Sequence, residues 1–390
     1  MTLVNRTLEY LQERRNKLLN GGINSIPSPF IRFRSAFIGI EQGKYYTITG
    51  STKSAKTQFA SFMFLYTPLL YAYNNPDKIR LKIFYYALEE NPEDVTKRFM
   101  SYLLNTLTDG TIHISPTDLQ STDNNKPVSQ ETLDVLKSEE FQKILTFYEE
   151  HVEFSTSRNA TGVYQEVKKY MEEHGTVHKR PQLVKDDFGN TKEVQVFDWY
   201  EPNDPDEFVI VFYDHLSLIQ TERGMTLKQS ADKLSEYFVI LRNRYNVSPV
   251  LIQQQAFAGE SLDAFKSNKL RPTAANLADS KYSARDTNIL LGLFSPFKHE
   301  LPECEKYDIT KFKDNFRLLE VILNRGGSCG DVVGLFFDGA VCDWAELPRP
   351  ENKNEIQKVY NYINKLHTPA KAFFAFSIKN IVNYLYKRKT

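Results

Sequence analysis

Cysteine is scarce in this chain: three residues in 390, Cys304, Cys329 and Cys342. No two of them have C-x-x-C spacing and their number is odd. That argues against a zinc site and a disulfide framework, and suits a reducing cytoplasm. An excess of charge of one sign is also lacking. Lysine plus arginine number 49 and aspartate plus glutamate number 49, so no global field advertises nucleic-acid binding, although a local basic surface is compatible with that balance. No apolar run is long enough to span a bilayer. The N-terminus, MTLVNRTLEYLQERR, lacks the uninterrupted apolar core of a signal peptide. These absences leave a soluble, intracellular chain. Its 41% hydrophobic content is enough for a substantial core, in one large α/β domain with extensions or in two domains.

What is present centres on Gly50, Ser51, Thr52, Lys53, Ser54, Ala55, Lys56 and Thr57. A strand-like run, Tyr45–Thr49, precedes them and an apolar helical run, Gln58–Tyr66, follows. Strand, tight loop and helix are the context of a phosphate-binding loop. Backbone N–H groups of such a loop and the N-terminus of its helix converge on one point and attract phosphate there. Lys56 would meet the β- and γ-phosphates and the Thr57 hydroxyl would hold Mg²⁺. Ala55 stands where this loop type carries its last glycine, and alanine disfavours positive φ.

The rest of the chain supplies a scaffold for that loop. Val4, Leu8, Leu11, Leu18 and Leu19 share a helical face that Asn20-Gly21-Gly22 terminates. This apolar face must dock, on its own domain or on a neighbour. Lys82–Leu88, Phe208–Tyr213, Pro249–Ile252 and Asn288–Phe294 are continuous apolar runs suited to strands buried on both faces. Helical patterns such as Leu227–Tyr245 fill the intervals, which predicts a mostly parallel, doubly wound sheet flanked by helices. Residues 175–207 are polar and rich in proline and glycine, and read as a β-hairpin or long-loop insertion. The predicted division is a helix over 1–22, an α/β core over 23–348, and a helical tail over 349–390 after Pro348-Arg349-Pro350. In the tail Ile356, Val359, Ile363 and Leu366 keep helical spacing, Phe373–Tyr386 is aromatic-rich, and Lys387-Arg388-Lys389 is basic.

A phosphate loop needs partners. Asp214 closes the run Phe208–Tyr213 and fits the strand-end carboxylate that holds the Mg²⁺ shell. Glu89 ends a strand-like run and suits a water-orienting base, while Glu90 and Glu93 suit the start of the next helix. A side-chain amide at the end of Pro249–Gln255 could sense the γ-phosphate, with spacing alone leaving Gln253, Gln254 and Gln255 open.

In their order these segments resemble the RecA-fold motor domain of DnaB-like replicative helicases over roughly residues 8–345. Ile26-Pro27-Ser28 and Gln42-Gly43-Lys44 resemble the family's lead-in to its phosphate loop. Tyr86-Ala87-Leu88-Glu89 resembles its S-L-E motif, and Asp214-His215-Leu216-Ser217-Leu218 its D-Y-L-Q-L motif. Pro249–Gln255 matches P-V-V-A-L-S-Q without a gap. Arg271-Pro272, Asn276-Leu277, Ser280 and Asp286 keep the frame of a further motif, and Asn324-Arg325-Gly326-Gly327 resembles K-x-R-N-G. The resemblance implies a RecA-like P-loop NTPase with Glu89 as catalytic base, Gln255 as sensor, Asp214 and Thr57 as metal-site residues and Arg325 as an arginine finger acting between subunits. It further implies ATP and Mg²⁺ as cofactors, a homo-oligomer (a hexamer), and 5′–3′ travel on single-stranded DNA in the cytoplasm, the host's if phage-encoded. Primase or other replisome proteins would be partners. Three departures stand out: Ala55 for glycine, Leu323 for a lysine that assists the finger, and an altered DNA loop. There the usual arginine is Ala278, and Lys281 and Arg285 are the substitute phosphate contacts. The family's N-terminal helical domain has no counterpart here. A recombination or repair ATPase that does not unwind, and a non-catalytic ATP-binding protein, are the competing readings.

Overall fold

The computed structural model describes residues 2–185, 191–256 and 270–366. Its framework is a nine-stranded sheet. The strands, numbered along the chain with the smaller sheets included, begin with β1 (Ser25–Pro27), β2 (Gly39–Glu41), β3 (Tyr46–Gly50), β4 (Arg80–Ala87) and β5 (Val152–Phe154). Next come β6 (Gly175–Lys185), β7 (Thr191–Pro202), β8 (Glu207–Asp214), β9 (Ser248–Gln254) and β10 (Ile289–Phe294). The last are β11 (Glu303–Cys304), β12 (Tyr307–Asp308), β13 (Phe316–Asn324), β14 (Val332–Asp338) and β15 (Asp343–Glu346). Across the main sheet the order is β15-β14-β13-β10-β3-β9-β8-β4-β5. The strands from β10 to β5 are mutually parallel, and β13, β14 and β15 add an antiparallel edge.

Burial on both faces explains the continuous apolar runs. In β8 the side chains of Phe208, Ile210 and Phe212 enter one core and those of Val209, Val211 and Tyr213 the other, as the two-residue strand period requires. The first core lies under the helices Pro92–Leu107 and Glu139–His151 and the helical stretch from Lys56 to Asn74; the second lies under Ala160–Glu173 and Leu227–Tyr245. Each fully buried Leu or Phe contributes about 1.5–3 kcal/mol relative to exposure. The parallel strands end together: Gly50 is level with Gln254, and Ala87 with Asp214. That shared carboxyl end is where a doubly wound sheet offers its binding crevice.

The helix after the phosphate loop departs from the simple expectation. It is α-helical from Lys56 to Ser61, then opens into a π turn, Phe62–Tyr66, before Thr67–Asn74 resumes the α form. Pro68 supplies the reason. It has no N–H to give the carbonyl four residues back and its ring crowds that carbonyl, so Thr67 N–H bonds Phe62 O, five residues back.

The 175–207 insertion is an antiparallel hairpin of β6 and β7, separate from the main sheet. Beside it runs the N-terminal helix, Leu3–Leu19. Its charged side faces its own chain through Arg6–Asp198 at 3.8 Å, Arg14–Glu41 at 3.9 Å and Lys17–Asp206. Its apolar residues point the other way: Leu3, Val4, Leu8, Leu11, Leu18 and Leu19 are all more than half exposed. At the other end of the chain, the Lys353–Leu366 helix buries Ile356, Val359, Tyr360 and Ile363 against Phe312, Phe316 and Phe336. Phe373–Tyr386 and the basic residues 387–389 lie outside the described residues. Among the described residues no helix is long and apolar enough to cross a membrane.

Candidate nucleotide site

The phosphate loop begins where glycine is obligatory. A Cβ on Gly50 would lie 2.5 Å from Leu293 O and 2.6 Å from Ser54 Oγ, closer than packed atoms allow. Two residues of the loop are left-handed, Lys53 at φ 61° and Ala55 at φ 70°. For a residue with a Cβ this costs about 1 kcal/mol, and Ala55 bears it at the mouth of the helix. Ala55 offers no capping side chain, so the first N–H groups of the helix remain directed at the loop. Lys56 is buried and its Nζ donates to Ser51 O at 2.7 Å, folding the ammonium back across the loop. Among the described residues, Ser51 Oγ and Ser54 Oγ are buried with no hydrogen-bond partner. Buried hydroxyls of this kind are normally satisfied, and a phosphate in the loop fits that need.

Two basic residues absent from the sequence reading brace the loop from behind. Arg317 on β13, 2% exposed, donates from Nε to Ser54 O at 3.0 Å, and Lys298 Nζ donates to Thr52 O at 2.8 Å. Arg317 lies near the start of β13 and Lys298 in the short turn Phe297–His299 that follows β10, both far along the chain from the loop, so no local motif marks them.

The carboxylates close the site. The Thr57 hydroxyl donates to Asp214 Oδ1 at 3.3 Å. Burial, and then the charge of Glu89, push the Asp214 carboxyl up to about 7. Glu89 Oε2 lies 3.2 Å from Nδ1 of His215, a buried imidazole that burial holds below its ordinary pKa. Donor atoms of Glu89, Asp214 and His215 all fall within 4.8 Å of one another. The Thr57 and Asp214 oxygens are the hard donors that Mg²⁺ takes, so this end of the loop fits a metal-bound nucleotide. Glu90 turns away and pairs with Arg98 of the next helix.

Of the remaining sequence candidates, Gln255 borders the loop, its backbone N–H donating to Gly50 O at 3.2 Å. The side chain of Gln255 is spent between strands: it donates to Thr49 Oγ1 at 2.8 Å and Thr273 O at 3.2 Å, and accepts from Thr273 N at 3.2 Å. Gln254 is the glutamine that reaches the carboxylates' neighbourhood, its Nε2 lying 3.4 Å from His215 Nε2. Arg325 is exposed and follows β13 at the opposite end of the sheet, where Asn324 is level with Ile289 and Ile289 with Tyr46. Lys281 and Arg285 are exposed around the short Tyr282–Asp286 helix. The Arg285 guanidinium sits 4.1 Å from the Tyr282 ring centroid, and Lys228 Nζ 5.7 Å from it. His215 was the residue to find from sequence, since it adjoins Asp214, but a lone histidine carries no spacing signal.

No family model matches the sequence, and no curated protein matches it. Solved structures do. The ATPase domain of a phage protein is 14% identical, with 89% of this chain and 100% of that one covered, at a TM-score of 0.59. A DnaB-like replicative helicase, solved with attention to its interactions with primase, is also 14% identical, with 88% of this chain and 67% of that one covered, again at 0.59. The chain therefore has the RecA-like fold of DnaB-like helicase ATPase domains, a mostly parallel sheet flanked by helices.

Proposed function

We propose that this protein is an ATP-driven motor of the DnaB-like kind, a hexameric ring of copies that travels 5′–3′ on single-stranded DNA and separates duplex strands. The observation that carries this reading is the convergence of Thr57, Asp214 and Glu89 on the open end of the Gly50–Thr57 loop. Lys56 and the loop N–H groups would hold the β- and γ-phosphates, and Thr57 with Asp214 would hold Mg²⁺. The metal, when bound, supplies neutralisation of the charge that develops on the transferred phosphate. Glu89, more than half exposed beside buried Asp214, is free to face an incoming water and take its proton. Gln255 is the candidate sensor, through the Thr49 and Thr273 contacts it would exchange when nucleotide binds.

Oligomerisation rests on two features. The apolar side of the N-terminal helix is turned outward, and a face of that size seeks a partner; a second copy is the occupant proposed. Arg325 lies at the wrong end of the sheet for its own loop, which suits a finger that serves a neighbour. Lys281 and Arg285 are the proposed contacts to the DNA backbone. Primase or another replisome protein is the proposed outside partner.

The test is ATPase activity of size-defined protein with and without single-stranded DNA, followed by unwinding of forked duplexes bearing 5′ or 3′ tails. DNA-stimulated hydrolysis with unwinding from the 5′ tail is expected. Stimulated hydrolysis without unwinding would favour a recombination or repair ATPase. Binding without hydrolysis would favour a structural nucleotide-binding role.

A further inference from the structure

A glutamate that serves as base must be held as well as present. Glu89 lies in the loop directly after β4 and its side chain is 56% exposed. A long carboxylate in that setting has several rotamers, and fixing one costs side-chain entropy. Proton abstraction needs it within hydrogen-bond reach of the water, so something must select the rotamer.

His215 is built to do so. Its ring is buried, and its two nitrogens have different partners: Nδ1 is 3.2 Å from Glu89 Oε2, and Nε2 is 3.4 Å from Gln254 Nε2. An amide nitrogen can only donate, so His215 Nε2 accepts from Gln254. The proton of the neutral ring is then on Nδ1, where it is donated to Glu89. The tautomer is set from behind. The backbone on both sides is anchored: Gln254 O accepts from Ala278 N at 2.9 Å, and Leu88 N–H, next to Glu89, donates to Asp214 O at 2.9 Å. The chain Gln254–His215–Glu89 is therefore a continuous line of donors from a strand end to the carboxylate.

We infer that His215 is the positioning residue of this site, orienting the Glu89 carboxylate through Nδ1–H, with Gln254 fixing the tautomer. The inference rests on the ATPase reading above, in which Glu89 is the base. In this role His215 acts on the reaction only through Glu89.

Amide substitutions separate positioning from general structural support. Asparagine carries a nitrogen near the place of Nδ1, whereas the glutamine nitrogen lies near the place of Nε2. Steady-state ATPase and titration with a fluorescent ATP analogue are measured on the full chain for wild type, His215→Ala, His215→Asn, His215→Gln and Gln254→Leu. His215→Ala and His215→Gln are expected to lower kcat by about tenfold or more, since a misplaced catalytic group can cost up to ~10²-fold. Nucleotide affinity is expected to stay within about twofold of wild type. His215→Asn is expected to recover most of kcat, and Gln254→Leu to fall between. Should His215→Ala fail to fold, the Asn and Gln pair decides: equal rates in those two overturn the inference. So does a normal kcat in His215→Ala, or a loss of nucleotide affinity parallel to the loss of rate. A wild-type protein that binds the analogue and hydrolyses no ATP overturns this inference and the ATPase reading together. An active wild type with a normal His215→Ala overturns this inference alone.

Discussion

A base and a phosphate-holding cation fail in different ways when removed, and this separates the roles proposed for Glu89 and Lys56. Lys56→Ala should lose both analogue binding and hydrolysis if the ammonium that folds across the loop is, as proposed, the partner of the β- and γ-phosphates. Glu89→Gln keeps shape and should keep binding, while kcat falls at least ~10²-fold. If Glu90→Gln, which breaks the pair with Arg98, is the variant that loses turnover instead, the base has been assigned one residue too early. Asp214 makes a second expectation, in pH. Burial first and the Glu89 charge second raise its carboxyl from 3.8 to about 7 in the metal-free fold. Between those values the folded state binds the proton and the unfolded state has lost it. Stability contributed by the neutral carboxyl is therefore complete below about pH 4 and is lost as pH rises through 7, a few kcal/mol in all. Thermal melts without Mg²⁺ or nucleotide should show wild type losing more Tm than Asp214→Asn between pH 5 and 8. Parallel slopes would remove the buried, proton-holding Asp214 from the account. At this scale the sequence singled out Lys56, Thr57, Glu89 and Asp214 by the residue types a phosphate loop and its strand-end partners call for, and the fold brings Thr57, Asp214 and Glu89 together. Arg317, Lys298 and His215 were not, because each meets the loop or the base through tertiary packing that leaves no local pattern.

The elements that carry the site show where pattern suffices and where it stops. Runs of largely apolar residues announced β3, β4, β8, β9 and β10, since a strand buried on both faces has few polar positions to confuse the reading. Pro68 stood in the sequence with its consequence unread: the π turn at Phe62–Tyr66 depends on which carbonyl must move, and a smooth helical pattern hides that. The hairpin of β6 and β7 was half legible, as one of two readings of a polar segment rich in proline and glycine. The phosphate loop itself offers a clean test. Ala55 adopts φ 70°, where glycine is free of the Cβ penalty of about 1 kcal/mol; the extra backbone freedom glycine brings to the unfolded chain costs about 0.4–1 kcal/mol. Ala55→Gly should therefore leave global stability within about 1 kcal/mol and hold or tighten nucleotide affinity, checked by chemical denaturation and analogue titration. A collapse of affinity would mean that the methyl group packs a loop shape the glycine cannot hold.

At the scale of the molecule the question is what one copy lacks. Asn324 is level with Ile289, Ile289 with Tyr46, and Gly50 four residues farther along β3. At about 3.3 Å per residue that separates Arg325 from its own phosphate loop by roughly 13 Å along the strands, with two strand spacings of about 4.8 Å across them. An arginine side chain does not cross that distance. The N-terminal helix repeats the lesson at a larger size, spending its charged side on Asp198, Glu41 and Asp206 while its leucines face solvent. The sequence disclosed that this face must dock, but only the fold discloses that the described residues of its own chain leave it exposed. If neighbouring copies complete each other, Arg325→Ala should lower ATPase of the assembled protein by about 10³-fold, the scale of a charge-stabilising finger. Nucleotide affinity of dilute, dissociated subunits should barely change. Mixing then discriminates. Subunits carrying Arg325→Ala retain an intact Glu89, and subunits carrying Glu89→Gln retain an intact Arg325. Where the two meet in the right order, one boundary has both groups. Activity should therefore reappear on mixing two inactive proteins, rise to a maximum near equal proportions, and vanish when dilution dissociates them. Absence of recovery at every ratio, in a mixture shown by light scattering to exchange subunits, would mean that Arg325 does not serve a neighbour's site.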